Sequence, residues 1–158
     1  DQGLIIPKRE GLHVGEIIDH VVSSFKEKSK IAGVDVSVSR HYAVDVIKTD
    51  KHLLVRMLHE VIDNAISYSP KGSEVAVSVS SIDHQVMISV TDHGIGIPTQ
   101  QQSIIFTKFF RGQNIPPASI GAGLGLFISN AYAQMLGGKI WFKSAEGKGS
   151  TFFISIHL

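Results

Sequence analysis

The sequence contains no cysteine, which excludes disulfide bonds and metal sites built on thiolates. It has no run of about 18 apolar residues, so no stretch is long enough to cross a membrane as a helix. The formal net charge is only +1, too small for a protein that holds nucleic acid through a broad basic surface. The chain starts with neither a signal-peptide pattern nor Met. We expect a piece of a longer protein, with no nucleic-acid partner and no membrane contact by this chain.

The chain has 158 residues, of which 43% are hydrophobic, and this length and composition suit one globular domain. Its apolar residues recur in regular patterns. Helical spacing predicts three long helices, over 13–33, 50–68 and 121–136. Alternation of apolar and polar residues predicts strands over 4–7, 34–39, 44–47, 74–82, 85–91, 139–144 and 150–156. Neighbouring strands are expected to pair as hairpins, including 34–39 with 44–47. The predicted fold class is a two-layer α/β (α+β) sandwich, with helices on one face of a mixed, mostly antiparallel sheet.

The stretch 91–98 joins the end of a predicted strand to a glycine-rich turn. Asp92 ends the strand, and Gly94 and Gly96 follow at alternate positions. Glycines at this spacing let a loop take positive φ angles and let its backbone approach a ligand closely. The carboxylate of Asp92 only accepts hydrogen bonds, which suits an amino group on a ligand. Taken alone, the stretch is explained as well by an ordinary glycine-rich turn with a solvated aspartate as by a ligand site.

Three polar residues follow one ridge of the second predicted helix, beside its apolar stripe. Glu60, Asn64 and Tyr68 are four residues apart and therefore share a face. The amide oxygen of Asn64 suits Mg²⁺, and Glu60 suits the orientation or deprotonation of a water or acceptor group. Tyr68 is able to pack on a flat base. The alternative interpretation is the wetted edge of a helix.

A second glycine-rich segment opens the third predicted helix, with Gly121, Gly123 and Gly125 at alternate positions. Free N–H groups at the positive end of a helix make a natural phosphate site, although glycines also let a helix pack tightly on a sheet. The irregular connection before it is typical of a functional loop or lid. Lys108 and Arg111 are the cations of that connection, and both are candidates for contact with anionic oxygens.

Five motifs stand in order along the chain: Asn64 on a helix, Asp92-x-Gly94-x-Gly96, Phe106 with Phe109, Gly121-x-Gly123-x-Gly125, and the closing 147–152. This order resembles the catalytic and ATP-binding domain of sensor histidine kinases, a branch of the Bergerat-fold ATPase superfamily. The resemblance covers almost the whole chain. The stretch 105–112 is the part that points to kinases over the other branches.

The resemblance implies a Bergerat ATP-binding fold that uses ATP and Mg²⁺. Asp92 would hold the exocyclic amino group of adenine, Asn64 would coordinate Mg²⁺, and Tyr68 would pack on the base. Thr151 would support the pocket floor beside Asp92. The other nucleotide contacts that the resemblance implies are Gly94, Gly96, Ile97, Lys108, Arg111, Gly121, Gly123, Leu124, Gly125 and Leu126.

Two positions depart from the family pattern. Glu60 stands where the family often has a second Asn and where the hydrolytic branches have a general-base Glu. Ser67 stands three residues after Asn64, where many of these kinases have a Lys. We therefore expect a weaker grip on phosphate, with Lys71 as a partial substitute, and we expect Ser67→Lys to tighten ATP binding.

The resemblance also implies partners. The chain would present the γ-phosphate of ATP, with Glu60 and Asn64 at the catalytic centre, to a histidine on a separate dimerisation and phosphoacceptor domain. That domain would in turn supply a response regulator. The segment 59–64 begins like a phosphoacceptor box but lacks the proline that follows it, so we expect the acceptor outside this chain. The expected fragment is cytoplasmic and monomeric, compatible with a membrane anchor elsewhere. A hydrolytic ATPase that uses Glu60, and a degenerate protein-binding module, remain open as alternatives.

Overall fold

The computed structural model describes residues 6–41, 45–107 and 125–157. The strands are β1 (Glu10–His13), β2 (Asp35–His41), β3 (Val46–Thr49), β4 (Glu74–Ile82), β5 (Gln85–Thr91), β6 (Lys139–Ala145) and β7 (Gly149–His157). The helices are α1 (Val14–Ser24), α2 (Lys26–Ala32), α3 (Lys51–Ser67) and α4 (Gly125–Met135), and a short 3₁₀ turn spans Thr99–Ile104. None of the described helices combines the length and the apolar character needed to cross a membrane.

A five-stranded sheet in the order β2-β4-β5-β7-β6 forms one of the two layers. Only β2 and β4 run parallel, and the three other neighbouring pairs run antiparallel. The helices form the other layer, and β1 pairs with β3 in a separate two-stranded sheet. The predicted fold class, a two-layer sandwich with a mixed and mostly antiparallel sheet, is therefore confirmed.

The core lies between the sheet and α1 and α3. The predicted apolar stripe of α3 is completely or almost completely buried: Leu54, Leu58, Val61 and Ala65. It meets the inward residues of β4 and β5, of which Val77 and Ile88 have no exposed surface. Full burial of one such side chain contributes roughly 1.5–3 kcal/mol, so this layer holds α3 firmly against the sheet.

Two strand predictions from the first third of the chain are wrong. Ile6 and Pro7 lie outside any strand, and the rest of the predicted strand 4–7 lies outside the described residues. Residues 34–39 and 44–47 do not pair as a hairpin, because β2 lies parallel to β4 and β3 pairs with β1. The segment that joins them contains no glycine, asparagine or proline to form a tight turn. Each of these strands therefore pairs with a strand that is distant in sequence.

The first predicted helix is broken into α1 and α2 at Phe25. Phe25 has φ −98° and ψ 5°, and its ring is buried against His59 with centroids 4.6 Å apart. Gly33 ends α2 in the left-handed conformation, as expected for a glycine cap. After the break, α2 contacts α3 as α1 does, which matters for the charges described below.

The last predicted helix buries a different face from the one expected. Within the described part of α4, the buried residues are Ser129 and Ala133, while Phe127 of the predicted stripe is 40% exposed. Small side chains permit a close approach of α4 to α3 and β6, whereas the larger residues lie on the flanks. The two hairpin predictions β4–β5 and β6–β7 are confirmed.

Asp50 anchors α3, as its predicted role of N-cap requires. Its carboxylate accepts hydrogen bonds from the backbone N–H of Leu53 (3.0 Å) and of Lys8 (2.7 Å). Burial by itself raises the pKa of Asp50, but the backbone hydrogen bonds from Leu53 and Lys8 outweigh it and hold the pKa below its usual value.

We expect Asp50→Ala to lower the free energy of unfolding by about 1–3 kcal/mol, and Asp50→Asn to cost less because asparagine is also a good N-cap. Since the folded pKa is lowered, the stabilisation is present above the ordinary aspartate pKa and is lost as the pH falls through the folded value. Urea titrations at neutral pH and below about pH 3 measure both effects. A cost for Asp50→Ala that stays the same in acid would contradict this role.

Candidate functional site

A cavity of about 660 Å³, measured with its open mouth, lies where the C-terminal half of α3 faces the loop after β5. Small-molecule sites are mostly apolar with a few fixed polar groups. The lining follows that rule, with Asn64, Ala65, Tyr68, Asp92, Ile95, Gly96, Ile97, Pro98, Gln101, Ile105, Leu126, Ser150 and Phe152 around it. We call it the first cavity.

Asp92 is the buried charged group of the first cavity, with only 8% of its surface exposed. Its Oδ1 accepts hydrogen bonds from the backbone N–H of Gly94 (2.8 Å) and of Ser150 (3.2 Å). Among the described residues both hydrogen bonds fall on Oδ1, so Oδ2 is the oxygen that a ligand can use. Burial raises the pKa of Asp92, and the hydrogen bonds from Gly94 and Ser150 offset only part of that effect.

Gly94 and Gly96 let the loop fit between two neighbouring segments. A Cβ on Gly94 would lie 2.3 Å from the carbonyl oxygen of Tyr68, at the end of α3. Gly96 has φ +68°, and a Cβ there would lie 2.1 Å from the carbonyl oxygen of Ala145, at the end of β6. The loop is therefore clamped on both sides, and any larger residue at either position would push it away.

A serine network, which the sequence did not indicate, fixes the same loop to the β6–β7 turn. Ser144 Oγ accepts a hydrogen bond from the N–H of Ile97 (2.8 Å) and lies 2.7 Å from Ser150 Oγ. The Gln102 amide donates to the carbonyl oxygens of Ile97 and Ser144, both at 3.0 Å. Serine and glutamine carry no spacing signal of their own, so only the folded chain reveals this group.

The polar stripe of α3 divides between two cavities. Asn64 and Tyr68 line the first cavity, whereas Glu60 lines a second cavity of about 750 Å³. The second cavity is bordered on α3 by Val55, Arg56, His59, Glu60 and Asp63, and on α4 by Gly125, Ile128 and Ser129. Burial raises the pKa of Glu60, and the negative charge of Asp63 adds to that shift.

Gly125 and Leu126 lie at the start of α4 and contribute to different cavities. A Cβ on Gly125 would lie 1.9 Å from the carboxylate carbon of Glu60, so a larger residue there would displace that side chain. Leu126 lines the first cavity together with Ile97. The other predicted residues of the glycine-rich segment and lid, Lys108, Arg111, Gly121, Gly123 and Leu124, lie outside the described residues.

Thr151 does not itself line the first cavity, and its neighbour Ser150 does. The Thr151 hydroxyl lies 3.0 Å from that of Thr91 across the β5–β7 ladder. It is Ser150 whose N–H contacts the Asp92 carboxylate. Thr151 is therefore linked to Thr91, the residue before Asp92, and Ser150 makes the direct contact.

Ser67 has a partner that the sequence did not suggest. The ammonium group of Lys28, on α2, donates to Ser67 Oγ at 2.7 Å and forms an ion pair with Asp63. The side chain of Lys71, the expected substitute cation, lies instead against Gly33, since a Cβ there would lie 2.7 Å from Lys71 Cγ.

Comparison with known proteins places this site in a family. The family model described as histidine kinase-, DNA gyrase B-, and HSP90-like ATPase matches residues 49–158, which is more than half of the chain. That match begins at the residue before Asp50 and therefore includes α3, the loop after β5, α4 and the last hairpin.

The chain is similar to several sensor kinases. It is 35% identical over 152 residues to the sensor-like histidine kinase SenX3 of Mycobacterium bovis, covering 96% of this chain and 37% of that protein. It is 40% identical over 109 residues to the histidine-protein kinase ArlS of Staphylococcus aureus, covering 68% and 24%. The solved mycobacterial sensor histidine kinase MprB matches with a TM-score of 0.81 at 26% identity, covering 95% and 97%. This chain thus spans only 37% of the length of SenX3.

The clamped loop gives a stability prediction with an internal control. Gly96 and Gly137 have similar φ angles, +68° and +73°, but a Cβ on Gly137 meets nothing within 4 Å. Gly137→Ala should therefore cost only the left-handed strain, about 1–2 kcal/mol, while Gly96→Ala should cost about 2–4 kcal/mol because the clash is added. Urea unfolding of both variants measures the difference. Equal costs would mean that the Ala145 contact does not constrain the loop.

Proposed function

Because this chain belongs to the histidine kinase-, DNA gyrase B- and HSP90-like ATPase family, we propose that it is the ATP-binding kinase domain of a sensor histidine kinase. It binds ATP in the first cavity and presents the γ-phosphate to a histidine on a separate dimerisation domain of the same kinase. An imidazole nitrogen of that histidine gains the phosphoryl group, and ADP leaves. The relatives SenX3 and ArlS support this assignment over the other branches of the family.

The position of Asp92 is the main support for nucleotide binding. Its carboxylate is buried, oriented through Oδ1 by two backbone hydrogen bonds, and borders an apolar cavity. Such a fixed acceptor suits the exocyclic amino group of adenine, with Ile97, Leu126 and Phe152 around the ring. A guanine presents a carbonyl oxygen at the equivalent place and would leave two acceptors facing each other.

Asn64 fits the role of the Mg²⁺ ligand within this proposal. Its side chain lines the first cavity beside the second, and an amide oxygen is a hard ligand of the kind that Mg²⁺ accepts. The described residues contain no cluster of three or more acidic or histidine side chains that would hold a metal ion alone. That composition suits a Mg²⁺ ion that arrives with the nucleotide, because Mg²⁺ in such sites takes most of its ligands from phosphates and water. Mg²⁺ supplies charge neutralisation when it is bound.

Glu60 is the residue on which the alternative function, a hydrolytic ATPase, depends. It borders the second cavity, where it would act as a base on water if it were ionised and free to move. Its carboxylate lies close to Gly125 at the start of α4, and burial raises its pKa, which makes it a stronger base once it is ionised. Within this proposal we assign Glu60 to orientation of the reacting groups, because the relatives SenX3 and ArlS are histidine kinases. A degenerate module is disfavoured because Asp92, Gly94 and Gly96 retain a complete clamp.

The remaining parts of the proposal concern the longer protein. This chain matches 37% of the length of SenX3, and we propose that the dimerisation domain, its phosphoacceptor histidine and the response regulator lie outside it. We propose that the domain acts in the cytoplasm as a monomer within a kinase that itself dimerises through the other domain. The Gly-rich segment and lid residues Lys108, Arg111, Gly121, Gly123 and Leu124 complete the phosphate site in this proposal.

Asp92→Asn tests the base contact while it preserves the shape of the side chain. We expect adenosine affinity to fall by about 1–3 kcal/mol, roughly 5- to 150-fold, because the amide places a donor against the amino group. Asp35→Asn, at an exposed position of β2, is the matched control. Calorimetry with adenosine avoids the ionisation of phosphates. Because the pKa of Asp92 is raised, wild-type binding should also weaken as the pH falls through that value. Unchanged affinity in Asp92→Asn would refute the contact.

Phosphoryl transfer is tested with γ-labelled ATP. The chain alone should acquire no stable label, and it should label an added helical domain that carries the acceptor histidine, in an acid-labile form. Glu60→Gln should lower this transfer, with Glu74→Gln, exposed at the start of β4, as the control. If instead the chain alone releases phosphate steadily and Glu60→Gln abolishes that release, the hydrolytic alternative is correct. Label on the isolated chain would mean that it contains an acceptor histidine.

A further inference from the structure

Lys28 links α2 to the polar side of α3 beside the proposed nucleotide site. Its ammonium group donates to Ser67 Oγ at 2.7 Å and pairs with the carboxylate of Asp63. Ser67 lies three residues after Asn64 and is therefore its neighbour on the helix surface. Asp63 lies three residues after Glu60 and borders the second cavity with it. The side chain of Lys28 is 42% exposed, which leaves its ammonium accessible from solvent.

The charges around Asn64 explain why a cation is needed there. Glu60 and Asp63 both border the second cavity, next to the place where a phosphate chain would reach Asn64. A triphosphate approaching two carboxylates is repelled unless their charges are compensated. Burial raises the pKa of Glu60, and Arg56, one turn before it at the same cavity, offsets part of that rise. Lys28 is the described cation that compensates Asp63.

We propose that Lys28 is a specificity-determining residue that favours nucleotides with a phosphate chain, by compensating Asp63 and donating to phosphate oxygens from its position on Ser67. This inference rests on the proposed nucleotide site. It assigns a role to α2, which precedes the residues matched by the family model. It also explains why a serine suits position 67, because its short hydroxyl accepts a hydrogen bond from the Lys28 ammonium. Ser67→Lys would place two ammonium groups side by side, so ATP binding would tighten less than the sequence alone suggests.

Lys28 lies shortly after the break between α1 and α2. Phe25 packs on His59 of α3, and the chain then restarts as α2, with Lys28 in the first turn of the new helix. No motif in the sequence indicated this position of the cation.

The test is calorimetry on the whole chain with ATP, ADP and adenosine for Lys28→Met, which keeps the length of the side chain without its charge. We expect ATP to bind roughly 3- to 10-fold more weakly, between the values for exposed and for charge-assisted contacts. ADP should lose less, adenosine should be unchanged, and Lys28→Arg should restore most of the affinity for ATP. Lys30→Met, on the same helix but remote from these contacts, is the control and should leave all three ligands unchanged.

Asp63→Asn separates the proposed role from a purely structural one. If Lys28 only pins α2 to α3, both Lys28→Met and Asp63→Asn lower stability and leave the ratio of ATP to adenosine affinity unchanged, which overturns the inference. If the inference is correct, Asp63→Asn removes a repelling charge, frees Lys28 and raises that ratio, and the effect shrinks at high salt. Failure of the wild-type chain to bind either ligand would instead refute the proposed function.

Discussion

The carboxylate of Asp92 holds the candidate site together, because it bonds two segments that are far apart in sequence. Its Oδ1 accepts one hydrogen bond from Gly94 in its own loop and one from Ser150 on β7. These bonds fix the loop after β5 relative to the last hairpin, and the serine network reinforces the same junction at Ile97. With Oδ1 occupied in this way, the other oxygen has a fixed direction, which is what recognition of a base requires.

α3 serves both the core and the site, and its two faces impose different demands. One face buries Leu54 and Leu58 against the sheet, which makes the helix a rigid support. The adjacent ridge carries Glu60 and Asn64, whose charges and dipoles have to be placed accurately but cannot be buried without compensation. Their environment comes from neighbouring helices: α4 covers Glu60 through Gly125, and α2 brings Lys28 to the same side.

Much of this arrangement could be predicted from local patterns. Strand and helix periods identified β4, β5, α3 and the last hairpin with boundaries close to those observed, because each of these elements buries one regular face. The glycine-rich turn after β5 was also predicted, since the close approach at Gly94 and the positive φ at Gly96 require glycine. The predicted pairing of β2 with β3 failed because each strand pairs with a strand distant in sequence. The break in the first helix was missed because the spacing of apolar residues does not show how Phe25 packs on His59.

The sequence by itself determined the element types, the glycine positions and the order of motifs that identifies the family, because these depend on backbone sterics and on side chains within a few residues of one another. Only the tertiary structure decided that β2 lies beside β4, that Ser150 rather than Thr151 contacts Asp92, and that Lys28 reaches Ser67. Each of these contacts joins residues more than thirty positions apart. Contacts over such distances depend on how the helices and strands pack together, which is a property of the whole folded chain.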